Sequence, residues 1–427
     1  MDYRAVTRSA GLNETETSHD RGRAAKMSIG NASIETSGYP LVFRADPDRL
    51  DLETNRVPDE IVRIRVVSRP LAGMQKEALI HYGPTGSVWR VVCDEGPWLN
   101  GTDLAPFPLA FFTAGLAASF MSGFLEEARA RGVRVDSASL EQDNFFSMEG
   151  SALRGTMSAG ARPVQVTFSA GGNVSAATFK EIAEVAVRMR SPAERCLQQA
   201  LASGFAVRAN NQPLPWPGES ANRVAALLDP ATVFERVRPV SADDLIIIRK
   251  TAGCGNTHPE KTNPDAVGLQ AEQKRIVHVR TECIIREDGL KSINVQCIRP
   301  AGSRFELLSD DSRAAGGRER APSGLAWLSA GAAFCFMTQI GRYAHISKQN
   351  VNGYRIIQDT GFRLARHCEP DADAVETLVC LDTGESPDKS IQLVRMGEQT
   401  CYVHASYRAS GKTEVRFSAL TGDSQCH

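Results

Sequence analysis

Leu109-Ala-Phe-Phe-Thr-Ala-Gly-Leu-Ala-Ala-Ser-Phe-Met-Ser122 and Leu325-Ala-Trp-Leu-Ser-Ala-Gly-Ala-Ala-Phe-Cys-Phe-Met-Thr338 align without a gap at an offset of 216 residues. Each sits in a charge-free run, Ala105 to Leu125 and Ala321 to Gly341. Such a run is long enough to span a membrane. Both are rich in Ala, Gly, Ser and Thr and begin at prolines, so they read instead as helices apolar all round and buried in a core. Similarity at so long a period marks a duplicated domain, because solenoid repeats are far shorter, roughly 20–50 residues.

On the upstream side, Arg69-Pro-Leu-Ala-Gly73 resembles Arg249-Lys-Thr-Ala-Gly253, each after an apolar run with strand character. A hairpin follows in each copy. In the second it turns at Asp288-Gly289, a two-residue hairpin signal; that register pairs Cys283 with Asn294 and Cys297 with Arg280, on opposite faces, and predicts no bridge. Downstream of each long helix come two strands and a second helix ending near Arg188-Met189 or Arg395-Met396. Ser386 and Pro387 supply an N-cap and a first helical residue. A cysteine follows in each copy, Cys196 and Cys401. The order is an α+β pattern.

The whole chain has 427 residues, 42% hydrophobic and 23% charged, with a net charge of −1. The length fits two or three domains of roughly 150 residues. No basic stripe is present, which sets nucleic acid aside. Residues 1–56 are expected to be a polar, largely disordered leader, with Tyr39 to Phe43 packing locally; no apolar run there suits a signal peptide. Domains are expected over 57–215 and 235–427. The ten cysteines include no C-x-x-C pair, so the thiols are expected to be free in a reducing, cytoplasmic setting. Cys254 and His258, with His278 and Cys283 beyond, are weak metal candidates, and a Gly- and Pro-punctuated loop is the default there. Asp94-Glu95 reads as an exposed acidic turn.

A cysteine inside a buried helix and another near the domain's end, with Pro322 and Leu328-Ser-Ala-Gly-Ala-Ala-Phe-Cys-Phe-Met337, resemble the OsmC/Ohr family of thiol-dependent proteins over about Asp59 to Ala409. The resemblance implies two tandem OsmC-like domains folded as an intramolecular pseudo-dimer, the long helices lying between antiparallel sheets. The molecule would be this monomeric pseudo-dimer or a higher homo-oligomer.

It further implies a stress-response thiol peroxidase for organic hydroperoxides. Cys335 would be the nucleophile and Cys401 the resolving thiol, with an external dithiol as reductant and no bound cofactor or metal. Arg69 and Arg249 are candidates for the family's arginine, and His404 for a base or a cap. Ser119 replaces the thiol in the first copy, which keeps Cys196, read as structural. The glutamate expected at the helix start is absent, with Leu109-Ala110 and Leu325-Ala326 in its place. That departure keeps two alternatives open. One is a different cysteine-nucleophile enzyme, a hydrolase, lyase or transferase acting on an electrophilic small molecule. The other is a non-catalytic binder of small hydrophobic molecules. No membrane partner is expected.

Overall fold

The computed structural model describes residues 32–50, 61–240, 245–253, 273–364 and 370–418. Its content, two sheets and several helices, is α+β. The helices are α1 (Ile34–Ser37), α2 (Pro108–Ala130), α3 (Ala176–Val185), α4 (Pro192–Gln198), α5 (Gly324–Ile346), α6 (Pro387–Gln399) and α7 (Tyr402–Arg408).

The first half of the chain supplies strands β1 (Val42–Ala45), β2 (Ile61–Pro70), β3 (Lys76–Tyr82), β4 (Ser87–Cys93), β5 (Val135–Gly150), β6 (Ser158–Ala161), β7 (Gln165–Gly172), β8 (Ser203–Ala209) and β9 (Gln212–Leu214). The second supplies β10 (Ile248–Ala252), β11 (Gln273–Ile285), β12 (Lys291–Arg299), β13 (Arg304–Ser309), β14 (Val351–Arg363), β15 (Asp371–Ala372), β16 (Val375–Thr383) and β17 (Glu414–Phe417).

Each sheet draws on both halves. One runs β1-β4-β3-β2-β14-β16-β8-β9 and the other β10-β13-β12-β11-β5-β7-β17. The central joins are antiparallel, β2 on β14 and β11 on β5, and the latter extends unbroken from Gln273↔Gly150 to Ile284↔Ser139, whereas β16 on β8 and β17 on β7 join the halves in parallel. The chain thus exchanges strands between its halves.

The central helices α2 and α5 form as their sequences dictate. Pro108 opens α2, where its missing N–H costs nothing. The Ser323 hydroxyl caps α5 by accepting from Ala326 N at 3.3 Å. Both helices are long and apolar enough to cross a membrane, and both are buried along nearly their whole length. They cross at glycine. A Cβ added at Gly115 would lie 2.4 Å from Leu328 N, and one at Gly331 2.4 Å from Phe112 N. Only a residue without Cβ permits that approach. Phe111 packs on Trp327 and Phe334 beside the crossing, with centroids 5.6 and 5.4 Å apart.

Three local expectations need correction. The Arg69 and Arg249 anchors are not equivalent: Arg69 ends β2, whereas Arg249 lies on the edge strand β10. By sheet position β10 matches β1, and β2 matches β11. A short R-x-x-A-G match between two strand ends carries too little information to fix register.

The β11–β12 hairpin pairs Cys283 with Ile293 and Cys297 with Val279, one residue off the two-residue-turn register. Its turn closes from Arg286 to Leu290 instead. A one-residue slip exchanges faces, so Cys283 and Cys297 share the buried face. They stand four residues apart along the strand, and both are reduced.

Asp94 and Glu95 are buried, 0% and 3% exposed, rather than lying in an exposed turn. The segment around Tyr39 to Phe43 does pack locally, Tyr39 on Phe43 at 5.1 Å, and it leads into β1.

Candidate functional site

Cys335 lies inside α5 and is 2% exposed; Cys401, 0% exposed, is the N-cap of α7. The two thiols are near enough to act on each other electrostatically. Burial first, and the neighbouring Cys335 second, push the Cys401 thiol well above the ordinary thiol range. The backbone N–H groups of Val403 and His404, at the start of α7, act in the opposite sense on Cys401 but are outweighed.

The first half holds the geometric counterpart. Ser119 on α2 meets Ser191, the N-cap of α4, at Oγ–Oγ 2.8 Å. Ser191, not Cys196, therefore matches Cys401. Cys196 lies inside α4 with its sulfur 3.8 Å from Pro192 O, and burial pushes its thiol up. Matching cysteine to cysteine misled the sequence reading; the helix N-cap is the geometric feature that the two copies share.

Around Cys335 the surroundings come from both halves. Thr338, one turn along α5, donates to Glu95 Oε1 at 2.6 Å, and Lys76 Nζ stands 3.6 Å from the same oxygen. Burial, partly offset by Lys76 and Thr338, pushes the Glu95 carboxyl up. Burial alone would lower Lys76, but Glu95 and its neighbours hold it above its ordinary value. Asp94 positions this acidic turn by accepting from Glu95 N (2.7 Å), Thr102 Oγ1 (2.6 Å) and Leu104 N (3.1 Å). Cys93 is buried beside it; desolvation first, and the acidic neighbours next, push its thiol well up despite Lys76.

The other copy repeats the arrangement. Ser122 donates to Asp311 Oδ1 at 2.8 Å, and Lys291 Nζ reaches Asp311 Oδ2 at 2.6 Å. Asp310 holds its own turn through Asp311 N and Arg320 N. The sequence carried a signal for this. Asp94, Glu95 and Ser122 map onto Asp310, Asp311 and Thr338 at the same 216-residue offset as the helices.

Two cations and a phenol complete the surroundings. Arg342 is seven residues beyond Cys335, hence on the same helix face two turns on. Its charge is within reach of Arg275, Tyr402, Glu95 and Cys335; burial first, and Arg275 next, lower its pKa. Arg275 projects from β11 with the parity of buried Val277 and Val279, toward the helices, and its guanidinium lies 5.7 Å from the Trp98 ring centroid. The sequence reading missed Arg342, Arg275, Tyr402 and Lys76, since nothing local marks them.

The other candidates stand elsewhere. Arg69 ion-pairs with Glu77 at 2.7 Å and lies over Phe234. Arg249, largely exposed, pairs with Glu306 at 2.5 Å. Neither is brought to the thiols; each is held by a carboxylate on its own sheet. His404 is fully buried among Phe205, Phe336 and Tyr407, and among the described residues neither ring nitrogen has a hydrogen-bond partner. Burial first, and Arg408 second, lower it to about 3, so the ring is neutral and acts as neither cap nor cationic acid near neutral pH.

Cys254 and His258 lie outside the described residues. His278 instead bonds Asp143 at 2.6 Å and stacks on Phe145, and among the described residues no cluster of His, Cys, Asp and Glu suits a metal. The surface depressions beside Trp216 and beside Asp310 include neither thiol in their linings.

No protein-family model matches the chain, and no curated protein does. Among solved structures, an OsmC-like hydroperoxide resistance protein from Jannaschia sp. CCS1 is similar over 30% of this chain and 81% of its own, at 20% identity and a TM-score of 0.18.

Proposed function

We propose that the chain is a thiol-dependent peroxidase for organic hydroperoxides, built as a fused pair of OsmC-like domains that pack as an intramolecular pseudo-dimer. The observation that carries this reading is the nearness of Cys335, inside the central helix, to Cys401, at the N-cap of α7. A disulfide between them needs Cβ atoms about 3.8 Å apart.

The chemistry balances in three steps. The Cys335 thiolate attacks the distal oxygen of ROOH, breaking the O–O bond; Cys335 becomes a sulfenic acid, and the alkoxide takes a proton to leave as ROH. The Cys401 sulfur then displaces hydroxide from that sulfenic sulfur, which leaves as water with the Cys401 proton, and a disulfide forms. An external dithiol reduces it, returning two thiols and an oxidised dithiol.

Glu95 and Lys76, brought from the first half, take the structural place left by the absent helix-start glutamate. Glu95 positions the α5 turn through Thr338, and Lys76 adds positive charge to the surroundings. His404 has no proton role in this scheme. The scheme fits a reducing, cytoplasmic setting.

The test is mass spectrometry after substoichiometric alkyl hydroperoxide. The expected product is a Cys335–Cys401 cross-linked peptide, with Cys196 and Cys93 reduced. Unmodified Cys335 and Cys401 after full peroxide exposure would overturn the peroxidase reading.

A further inference from the structure

One group of side chains beside the thiols is unused by the scheme above. Arg342 lies two turns from Cys335 on the same face of α5, and its Nη1 donates only a long bond, 3.4 Å, to Gln339 Oε1. Arg275 reaches in from β11 and rests over Trp98. Among the described residues neither guanidinium has an ion-pair partner, whereas other sheet arginines, such as Arg65 with Asp359 and Arg280 with Asp143, are closed by carboxylates. The two are within electrostatic reach of each other. Arg275 and Arg342 are both partly buried, and like charges gathered away from bulk water are costly unless an anion offsets them.

Tyr402 follows Cys401 directly and faces the same two arginines. It is 5% exposed, and its hydroxyl has no hydrogen-bond partner among the described residues. A buried hydroxyl without a partner is costly, so natural structures rarely leave one unless something else fills the need. The three side chains thus present two forks of N–H donors and one O–H donor, and among the described residues the one acceptor bonded to them is Gln339 Oε1. The rim reaches the surface at Gly96 to Asn100, where Trp98 is half-buried and Pro97 exposed.

The geometry points to a carboxylate site: Arg275, Arg342 and Tyr402 bind the carboxylate of the substrate whose reactive end lies at Cys335. This rests on the reading of Cys335 as the nucleophile, and it assigns that nucleophile a substrate class, electrophiles carrying a carboxylate. Arginine forks match a carboxylate bidentately, and the phenol donates a third bond. Substrate would enter past Trp98, whose indole already holds Arg275 in place. The first copy lacks the arrangement, because the position matching Arg342 at the 216-residue offset is Glu126.

The test compares two alkylating probes at Cys335 on the full chain, iodoacetate and iodoacetamide. Each forms an S–C bond with loss of iodide, and only the first carries a carboxylate. Peptide mass spectrometry gives the iodoacetate-to-iodoacetamide rate ratio at Cys335, referenced to the same cysteine in the denatured chain.

The expected ratio is roughly tenfold above that reference, matching one charge-assisted pair of bonds. Arg342→Gln and Arg275→Gln should each lower it about fivefold or more, and Tyr402→Phe about twofold to fivefold. Benzoate should protect Cys335 from iodoacetamide at concentrations where benzamide does not, a measurement on the unmodified protein that stands if a variant fails to fold.

A ratio equal to the denatured reference, or protection that is the same for benzoate and benzamide, would overturn the carboxylate site. Because neither probe is a peroxide, the ratio and the protection can hold while hydroperoxide oxidation of Cys335 fails. That result would retire the peroxidase reading and keep this one.

Discussion

Replacing both Ser119 and Ser191 by cysteine should build a second thiol pair in the first half. The two hydroxyl oxygens are 2.8 Å apart, and the positions are 72 residues apart in sequence. Two non-bonded sulfurs do not fit at that spacing, so the reduced Ser119→Cys/Ser191→Cys protein carries overpacking of about 1–3 kcal/mol. It also loses the bond from Glu194 N to the Ser191 hydroxyl, 3.3 Å, a cap worth roughly 0.5–2 kcal/mol. Oxidation reverses the sign. An S–S bond of about 2.05 Å relieves the crowding, and closing the loop removes about 4 kcal/mol of unfolded-state entropy.

The variant is best made in a Cys335→Ser background, so that only one pair can form. Melting under reducing and under diamide-oxidised conditions should then differ by roughly 5–10 °C, with the oxidised form higher. A new disulfide-linked peptide joining the two substituted positions should appear in the digest. If diamide gives no such peptide while the unaltered chain yields its Cys335–Cys401 peptide, the equivalence of the two helix-cap sites is refuted.

Three further outcomes follow from the same geometry. Gly115→Ala and Gly331→Ala each force the central helices about 1 Å apart, and each should cost about 2 kcal/mol or more despite the better helix propensity of alanine, read from denaturant midpoints. His404 is held neutral at about 3 against an ordinary 6.5. Its contribution is therefore fully present above pH 6.5 and is lost as the pH falls toward 3, because the unfolded chain takes up the proton first. At pH 5 the loss is about 2 kcal/mol, and His404→Phe should flatten that part of the stability profile; an unchanged acid limb would show that the ring is not buried neutral. Cys335→Ser should abolish hydroperoxide turnover with fold retained, whereas Cys196→Ser should leave turnover within about twofold of the parent chain, since Cys196 meets no other thiol among the described residues and a buried Cys-to-Ser change costs only about 1–3 kcal/mol.

The duplicated central helices were legible because their apolar content and small residues repeat in register over fourteen positions. The nearness of Cys335 to Cys401 was reachable only through resemblance, since nothing in their spacing brings two positions 66 residues apart together. What failed was pairing across the copies. Arg69 and Arg249 were matched on a motif of three identities, and sheet order shows that they lie on different strands.

Cys196 was matched to Cys401 by residue type, whereas position at the helix start pairs Cys401 with Ser191. Glu95 was misread because a dipeptide of acids before Gly-Pro is usually a solvated turn. Its burial depends on Lys76 from β3 and Thr338 from the opposite copy, partners 19 and 243 residues away. Side chains that gain meaning only through tertiary partners leave no periodic or local trace, and Arg275 and Arg342 belong to that group.

The asymmetry between the copies has a physical consequence. The first half carries Ser119 and Ser191 and so has no thiol pair, yet it supplies Lys76, Glu95 and Trp98 to the surroundings of Cys335. It also lends β2, β3 and β4 to the sheet that continues through β14 and β16. Strand exchange thus makes the thiol surroundings the joint product of both halves. The Ser119 end has a different filling. There a hydroxyl pair satisfies itself at 2.8 Å, and a buried polar pair that closes on itself costs the fold little. Asp311, Lys291 and Ser122 form a network beside this thiol-free site as well: they hold the turn after β13 against α2, a structural task that needs no thiol.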